Sequence, residues 1–265
     1  MTCNNRNHKA ASFKSDAKTI FLNLVGEKMF DHRYQVVVAD TEEAKKVHYR
    51  LRYQVYCLDK GFEAPDQFTD EMERDEYDEM SVHFLVRDKY TGHWVAALRL
   101  VIGDVKDIPA SQVVDIKGNS GMQAGERVAE ISRLSIVKGH RATNSEKSSA
   151  DQYRHRHAIP EIMLGLIRAT KVYCKDVGIK HGLFLCKRSM IRVLEKCGMG
   201  IEPAGSACEH KGTRYPYWVM GTEKAFGGFK KTSDRLLNMF ENGQHAAYCT
   251  YSDLLQMEQQ QLVVA

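Results

Sequence analysis

Several classes of protein are excluded by what the chain does not contain. No apolar stretch is long enough to cross a bilayer. The short run at residues 20–25 is interrupted by Asn23 and lacks a small-residue cleavage pattern after it, so no secretory leader is expected. The seven cysteines (Cys3, Cys57, Cys174, Cys186, Cys197, Cys208 and Cys249) are odd in number and scattered. None forms a C-x-x-C pair, which argues against a disulfide framework and against a zinc ribbon. Several fall on apolar faces, where a free thiol behaves as a small hydrophobe, and a reducing, cytoplasmic compartment is expected. Glycine-rich loops of the dinucleotide or triphosphate type are missing, which disfavours nucleotide-dependent redox or kinase chemistry. There is no internal repeat and no low-complexity tract. A net charge of +4 is too mild to suggest a nucleic-acid partner.

What is present is enough apolar material, 43% of 265 residues, to build a substantial core. The charge is unevenly spread. Residues 63–79 carry Glu63, Asp66, Asp70, Glu71, Glu73, Asp75, Glu76, Asp78 and Glu79 against Arg74 alone. Residues 138–157 carry Lys138, Arg141, Lys147, Arg154 and Arg156 beside His140, His155 and His157. Solvated faces are the plain reading of both; a cleft with cationic partners and a docking surface for an acidic protein is the sharper one. His155 and His157 are a weak ligand signal, and no metal is expected.

Periodicity predicts an N-terminal extension (1–33), a main domain (34–222) and a C-terminal helical extension (223–265). A strand at 34–39 leads to a helix capped by Asp40 or Thr41, with Glu42 and Glu43 in its first turn. Its apolar stripe is Ala44, Val47, Leu51, Val55 and Leu58, and Gly61 closes it. The acidic stretch reads as a loop or lid. Strands at 83–89 and 93–102 form a hairpin around Tyr90-Thr91-Gly92, and 103–127 is irregular. A strand at 128–137 is followed by a polar, basic connection as far as His157. An amphipathic helix then carries Ile159, Ile162, Leu166 and Ile167 to its stop at Gly178. A strand at 182–186, a short helix ended by Gly198, a strand at 217–221 and a tail helix capped by Ser233 complete the order. Antiparallel neighbours first and strand–helix alternation later describe a mixed α/β sheet.

The strand at 128–137 holds the sharpest anomaly. Glu130 and Arg133 sit inside a β-branched, buried texture, and burying a charge is costly unless it is paired or hydrogen-bonded. A structural ion pair is one reading; a site at a break in the sheet is the other.

Four segments then fall into one pattern. The first helix presents Arg52 and Tyr56, with Phe62 six residues beyond; the acidic loop reads Glu73-x-Asp75-x-Tyr77-Asp78; the second hairpin strand carries Arg99 before Leu100; the later strand reads Glu130-x-Ser132-Arg133. The pattern resembles that of the acyl-homoserine-lactone autoinducer synthases and the related long-chain N-acyl amino acid synthases, within the GCN5-related N-acetyltransferase (GNAT) superfamily. The resemblance covers about residues 34–137 in detail. Tyr56 and Phe62 stand where the autoinducer synthases have Phe and Trp, and the chain is longer at its C-terminus. These departures look closer to the acyltransferases associated with exosortase and PEP-CTERM sorting systems.

The resemblance implies an α/β, GNAT-like fold: a mixed, mostly antiparallel central sheet flanked by helices and splayed at its central strand. It implies an amide-forming acyltransferase in which an amine attacks an acyl thioester. Glu130 is then the proton acceptor, with orientation of Arg133 or Arg99 as its rival role. Arg52, Tyr56, Phe62, Asp75, Asp78, Arg99 and Arg133 become substrate-site residues, the arginines and aspartates as an ion-pair lattice that fixes the acidic loop over the cleft. Met163, Leu166, Ile167 and Met190 are read as core rather than as an acyl tunnel. The segment Val137-Lys138-Gly139-His140-Arg141-Ala142-Thr143 is a poor match to the acetyl-CoA pyrophosphate loop of the superfamily. Acyl carrier protein is therefore the implied donor ahead of acyl-CoA, with Lys138, Arg141, Lys187, Arg188 and Arg192 as its docking surface, and no permanently bound cofactor is expected. The acceptor is a small amine such as an amino acid. An autoinducer synthase taking S-adenosylmethionine, and a non-catalytic acyl- or carrier-binding module, are the alternatives.

Overall fold

A computed structural model describes residues 27–118, 121–137, 149–220 and 246–264. Helix α1 (Glu27–Arg33) runs directly into strand β1 (Tyr34–Val38). Helix α2 (Glu42–Tyr53) is capped by Thr41, whose hydroxyl accepts the N–H of Ala44 at 3.2 Å. A π-helical turn (Gln54–Asp59) prolongs α2, and Gly61 then reverses the chain at a φ of 59°. The wider turn breaks the 3.6-residue register. Leu58, expected on the buried stripe, is consequently 55% exposed, and the buried face is Ala44, His48, Arg52 and Val55.

Strands β2 (Ser81–Asp88) and β3 (Trp94–Gly103) form the expected hairpin, with Asp88 accepting the N–H of Tyr90 at 3.0 Å and Gly92 at a φ of 72°. Short 3-10 turns lead to β4 (Val128–Ile136). Helix α3 (Ser149–Asp176), strand β5 (His181–Cys186) and helix α4 (Arg188–Lys196) follow. The chain then forms β6 (Ile201–Pro203), β7 (Cys208–Glu209), β8 (Thr213–Met220), β9 (Cys249–Thr250) and helix α5 (Tyr251–Val264).

Several boundaries differ from the sequence expectation. Helix α3 starts at Ser149, inside the stretch read as a basic connection. Its early turns are polar all round and give no amphipathic signal; they propagate from the packed half, as helix cooperativity allows. Strands β6 and β7 are too short to show a period, and β8 begins at Thr213 because pairing with β5 extends it through Pro216 to Tyr215 and pairing with β7 carries it on to Thr213. Helix α5 is rich in Gln and holds on through buried Leu254, which left it without a periodic signal. The expected helix from Ser233 lies outside the described residues, as do Lys138 and Arg141.

The described strands form one sheet in the order β6-β8-β5-β4-β3-β2-β1-β9, with β7 paired to β8. Pairing is parallel at β4–β5 and β1–β9 and antiparallel elsewhere. One face packs on α1, α3 and α4 through Phe30, Phe84, Leu98, Leu164 and Leu194. The other packs on α2 and α5 through Val37, Ala44, Leu85 and Leu254, and on the 3-10 turns through Val101, Ile108 and Trp218. Residues 246–264 thus add an edge strand and a helix to the sheet.

Two irregularities in β4 position the site. Its ladder with β5 ends at Ile131–Phe184, although β4 continues to Ile136 and β5 to Cys186, so the sheet splays there. Against β3, Ala97 pairs with Ser135 and Arg99 with Ser132, so Arg133 and Leu134 together oppose Leu98. This is a β-bulge, and Arg133 takes a φ of 51°, a left-handed conformation rare for a residue with a Cβ.

Candidate active site

Strand alternation sends Ala129 and Ile131 to the α3 face and Glu130 to the opposite one, where Arg99 and His83 also point. A polar band therefore crosses β2, β3 and β4 beneath α2 and the acidic loop. Arg52 lies at its centre, fully buried, with Nε donating to Glu73 and Nη1 to Asp78, each at 2.5 Å. Arg99, also fully buried, donates from Nε to the Ser132 hydroxyl at 3.1 Å and from Nη1 to Asp78 at 3.1 Å, and pairs with Asp75. Arg133, turned by the bulge, donates from Nε to Glu73 at 3.1 Å and from Nη2 to Asp75 at 2.8 Å. Arg52 and Arg99 are each shared by two carboxylates and Arg133 by Glu73, Asp75 and, at 3.7 Å, Glu63, which pins the acidic loop to the sheet.

Electrostatics follow from burial and pairing. Burial works against the Arg52 charge, but Glu73 and Asp78 overcome it and raise its pKa. Burial likewise opposes the charge on Asp78, and Arg52 and Arg99 reverse that, lowering its pKa. His83 and His48 meet beneath the lattice with ring centroids 4.6 Å apart and planes tilted by 60°. Burial holds His83 neutral, lowered to about 4 against the pull of Asp78, and burial with the neighbouring His83 pushes His48 down as well.

Glu130 is different in kind. It is 3% exposed, and its Oε2 accepts the backbone N–H of Ala110 at 2.8 Å. Burial raises its pKa to about 7; the Ala110 N–H, Arg99 and Arg133 offset only part of that. A carboxyl poised at neutrality is suited to taking a proton and giving it back.

Tyr56 and Phe62 meet edge to face at 5.8 Å, and the Arg133 guanidinium lies 5.4 Å from the Tyr56 ring. On the α3 face, beneath the paired rungs Ala129–Gly182 and Ile131–Phe184, an apolar groove of about 40 Å³ is lined by Ala129, Ile131, Ile167, Cys174 and Phe184. Met163 and Leu166 are buried in the core and do not line it; of the side chains weighed for a tunnel, only Ile167 does. Lys187, Arg188 and Arg192 are exposed around the start of α4.

The structure thus brings Arg52, Asp75, Asp78, Arg99 and Arg133 into one network, sets Glu130 beside it, and places Tyr56 and Phe62 at its rim. Glu73 is the residue that sequence reading left out. It stood in the acidic motif, but nothing in its spacing separated it from its solvated neighbours. It is 1% exposed and bridges Arg52 to Arg133.

Residues 51–149 match the acetyltransferase (GNAT) domain family. That match runs from the end of α2 to the start of α3. The whole architecture is similar to solved structures of acyl-homoserine lactone synthases. BjaI, described as CoA-dependent and solved with SAM and isopentyl-CoA, is 16% identical with a TM-score of 0.55, over 82% of this chain and 92% of that one. TofI, in a ternary complex with an inhibitor and MTA, is 16% identical with a TM-score of 0.54, over 74% of this chain and 96% of that one. LasI is 17% identical with a TM-score of 0.51, over 74% and 94%. No curated protein matches the sequence. At these identities the likeness is one of fold, and the splayed, mostly antiparallel sheet of this chain is that fold. Within the GNAT domain lie Arg52, the acidic loop, Arg99, Glu130 and Arg133.

Proposed function

We propose that the protein is an N-acyltransferase that moves a fatty acyl chain from acyl carrier protein to the amine of an amino acid or related small molecule. One observation carries this reading: Glu130, with a pKa of about 7, lies between Ala129 and Ile131, which line the apolar groove on the other face of the splayed strand. A thioester seated in the splay has its acyl chain on the groove side and its carbonyl within reach of the polar side. The amine nitrogen attacks the carbonyl carbon, and Glu130, directly or through one water, takes the ammonium proton. The C–N bond forms, the C–S bond breaks, and the proton passes to the departing thiolate. Beyond Ile131 the β5-facing edge of β4 has no strand partner among the described residues, and backbone N–H groups there are the candidates to hold the oxyanion.

The charge lattice supplies rigidity. It fixes the acidic loop and the Tyr56–Phe62 wall over the acceptor side, so that amine and carbonyl meet at a set distance. Carrier protein is favoured as donor because Lys187, Arg188 and Arg192 give the start of α4 a basic surface, and carrier proteins are acidic.

The test is thiol release. The protein is incubated with long-chain acyl carrier protein or acyl-CoA and a panel of amines. Acceptor-dependent thiol release, faster with the carrier protein, is the expected result, and its absence across chain lengths sinks the proposal. Adding S-adenosylmethionine separates the autoinducer reading, since methylthioadenosine then appears with the thiol.

A further inference from the structure

The charge lattice does not end at Arg133. Oε1 of Glu63 lies 3.7 Å from Nη2 of Arg133 and also accepts from Nζ of Lys211, at the tip of the β7–β8 hairpin. Ion pairs therefore run from Arg52 through Glu73, Arg133 and Glu63 to Lys211, from the centre of the fold to a surface turn. Glu63 is itself seated by its backbone, whose N–H donates to the Tyr56 carbonyl at 3.3 Å.

The hairpin tip has few other ties. Past the Cys186–Tyr215 rung of the β5–β8 ladder, its two arms pair with each other, and Thr213 donates to Glu209 within the hairpin at 2.6 Å. The turn His210-Lys211-Gly212 puts Lys211 at a φ of 56° and Gly212 at 88°. Glycine suits that region, whereas the Cβ of a lysine crowds the backbone there. Among the described residues three non-glycine residues take a positive φ, and two of them, Arg133 and Lys211, meet on Glu63. Such strain persists only where the surroundings over-determine it, and it gathers at functional sites. The Lys211 and Glu63 side chains are 22% and 19% exposed, which spares the pair much of the screening that weakens surface ion pairs. His210 is half-buried beside them, and burial with the charges of Arg133 and Arg214 lowers its pKa. The tip thus faces Arg133, two residues past the point where β4 leaves β5.

We propose that Lys211 is a positioning residue: its bond to Glu63 holds the β7–β8 hairpin down beside the splay and keeps water from the thioester. Hydrolysis is the reaction that competes with aminolysis. In it a water oxygen bonds to the carbonyl carbon and the C–S bond breaks. One water proton passes to the departing thiolate, and the other stays with the new carboxylic acid. Water far outnumbers any dissolved amine, so a cleft that makes amides must shut it out. The water-excluding role rests on the acyl-transfer reading; the tie between hairpin and acidic loop does not.

Hydrogen exchange of the full chain, read by mass spectrometry, tests the tie without turnover. Lys211→Asn keeps a residue that tolerates the left-handed turn and removes the ammonium. Its amides at 208–214 should exchange roughly three- to fivefold faster, as loss of one such ion pair predicts. Glu63→Gln, made on the acidic loop, should loosen the same amides, and Lys211→Arg should leave them near the parent rate. Unchanged exchange at 208–214 in either Lys211→Asn or Glu63→Gln overturns the tie. For the second half, thiol release from long-chain acyl carrier protein is measured with and without amine. Lys211→Asn should raise amine-independent release by a similar factor and lower the ratio of aminolysis to hydrolysis, with KM for the donor unchanged. Lys211→Arg should restore that ratio. A parent ratio in a variant whose hairpin has loosened overturns the water-excluding role. No thiol release from any form sinks acyl transfer and leaves the tie to be judged by exchange.

Discussion

The backbone N–H of Ala110 donates to Oε2 of Glu130 at 2.8 Å, from a 3-10 turn beside the polar band. The bond orients a carboxyl that burial has raised to about 7. Glutamine keeps an oxygen for that N–H and removes the proton acceptor. Glu130→Gln should therefore lower kcat by roughly 10²–10⁴-fold while leaving the thermal midpoint close to that of the parent. Since the base must be ionised, kcat/KM of the parent should climb with pH through about 7 and level off above it. The variant should lose that limb; a parent profile flat between pH 6 and 8 would remove Glu130 from this role.

Arg52 answers to Glu73 and Asp78 together, in an environment with no solvent. Arg52→Met leaves two buried carboxylates short of a partner and should cost about 3–5 kcal/mol. Lysine cannot serve both acids from one fork and should recover only part of this. Urea unfolding of the two variants measures the difference, and a loss below 1 kcal/mol for Arg52→Met would show the lattice to be dispensable for stability.

Gly165 sits mid-way along α3, where alanine would ordinarily favour the helix by up to about 1 kcal/mol. A Cβ there would lie 2.2 Å from the Phe30 ring of α1. Gly165→Ala should instead destabilise the protein by about 1–3 kcal/mol, and adding Phe30→Leu should restore part of the loss. Thermal melts of the single and double variants give the sign.

Glu161 on α3 is buried, and its Oε1 has no hydrogen-bond partner among the described residues. Burial raises its pKa to about 7, against the pull of Arg33 and with the push of Asp31, both on α1; Asp31 is itself clasped by Arg168 of α3. The unfolded chain ionises this carboxyl near 4.5 and the folded one near 7. Stability from the neutral form is thus complete below about 4.5 and lost as pH rises to about 7, a span of about 3 kcal/mol. Glu161→Gln should match the parent at pH 4.5 and melt higher at pH 8. Identical curves at both pH values would contradict the assignment.

The order of strands and helices from residue 34 through residue 137 was legible in the amino-acid sequence, because alternation and the 3.6-residue period are written locally and turns carry their own residues, such as Gly61 and Gly92. Glu130 and Arg133 stood out as charges in apolar surroundings, whereas Arg52, Asp75, Asp78 and Arg99 were singled out only by the resemblance of their motifs. What the sequence alone could not decide was how those charges are shared. The Arg52–Glu73–Arg133 bridge spans three elements far apart in the chain, and the bulge that turns Arg133 toward the loop is a mismatch between two strands, a property of neither alone. The splay after Ile131 and the meeting of Arg133 and Lys211 on Glu63 have the same origin. Local patterns fix which residues want burial or solvent, whereas pairing, register and electrostatic imbalance arise only when distant segments are packed against one another.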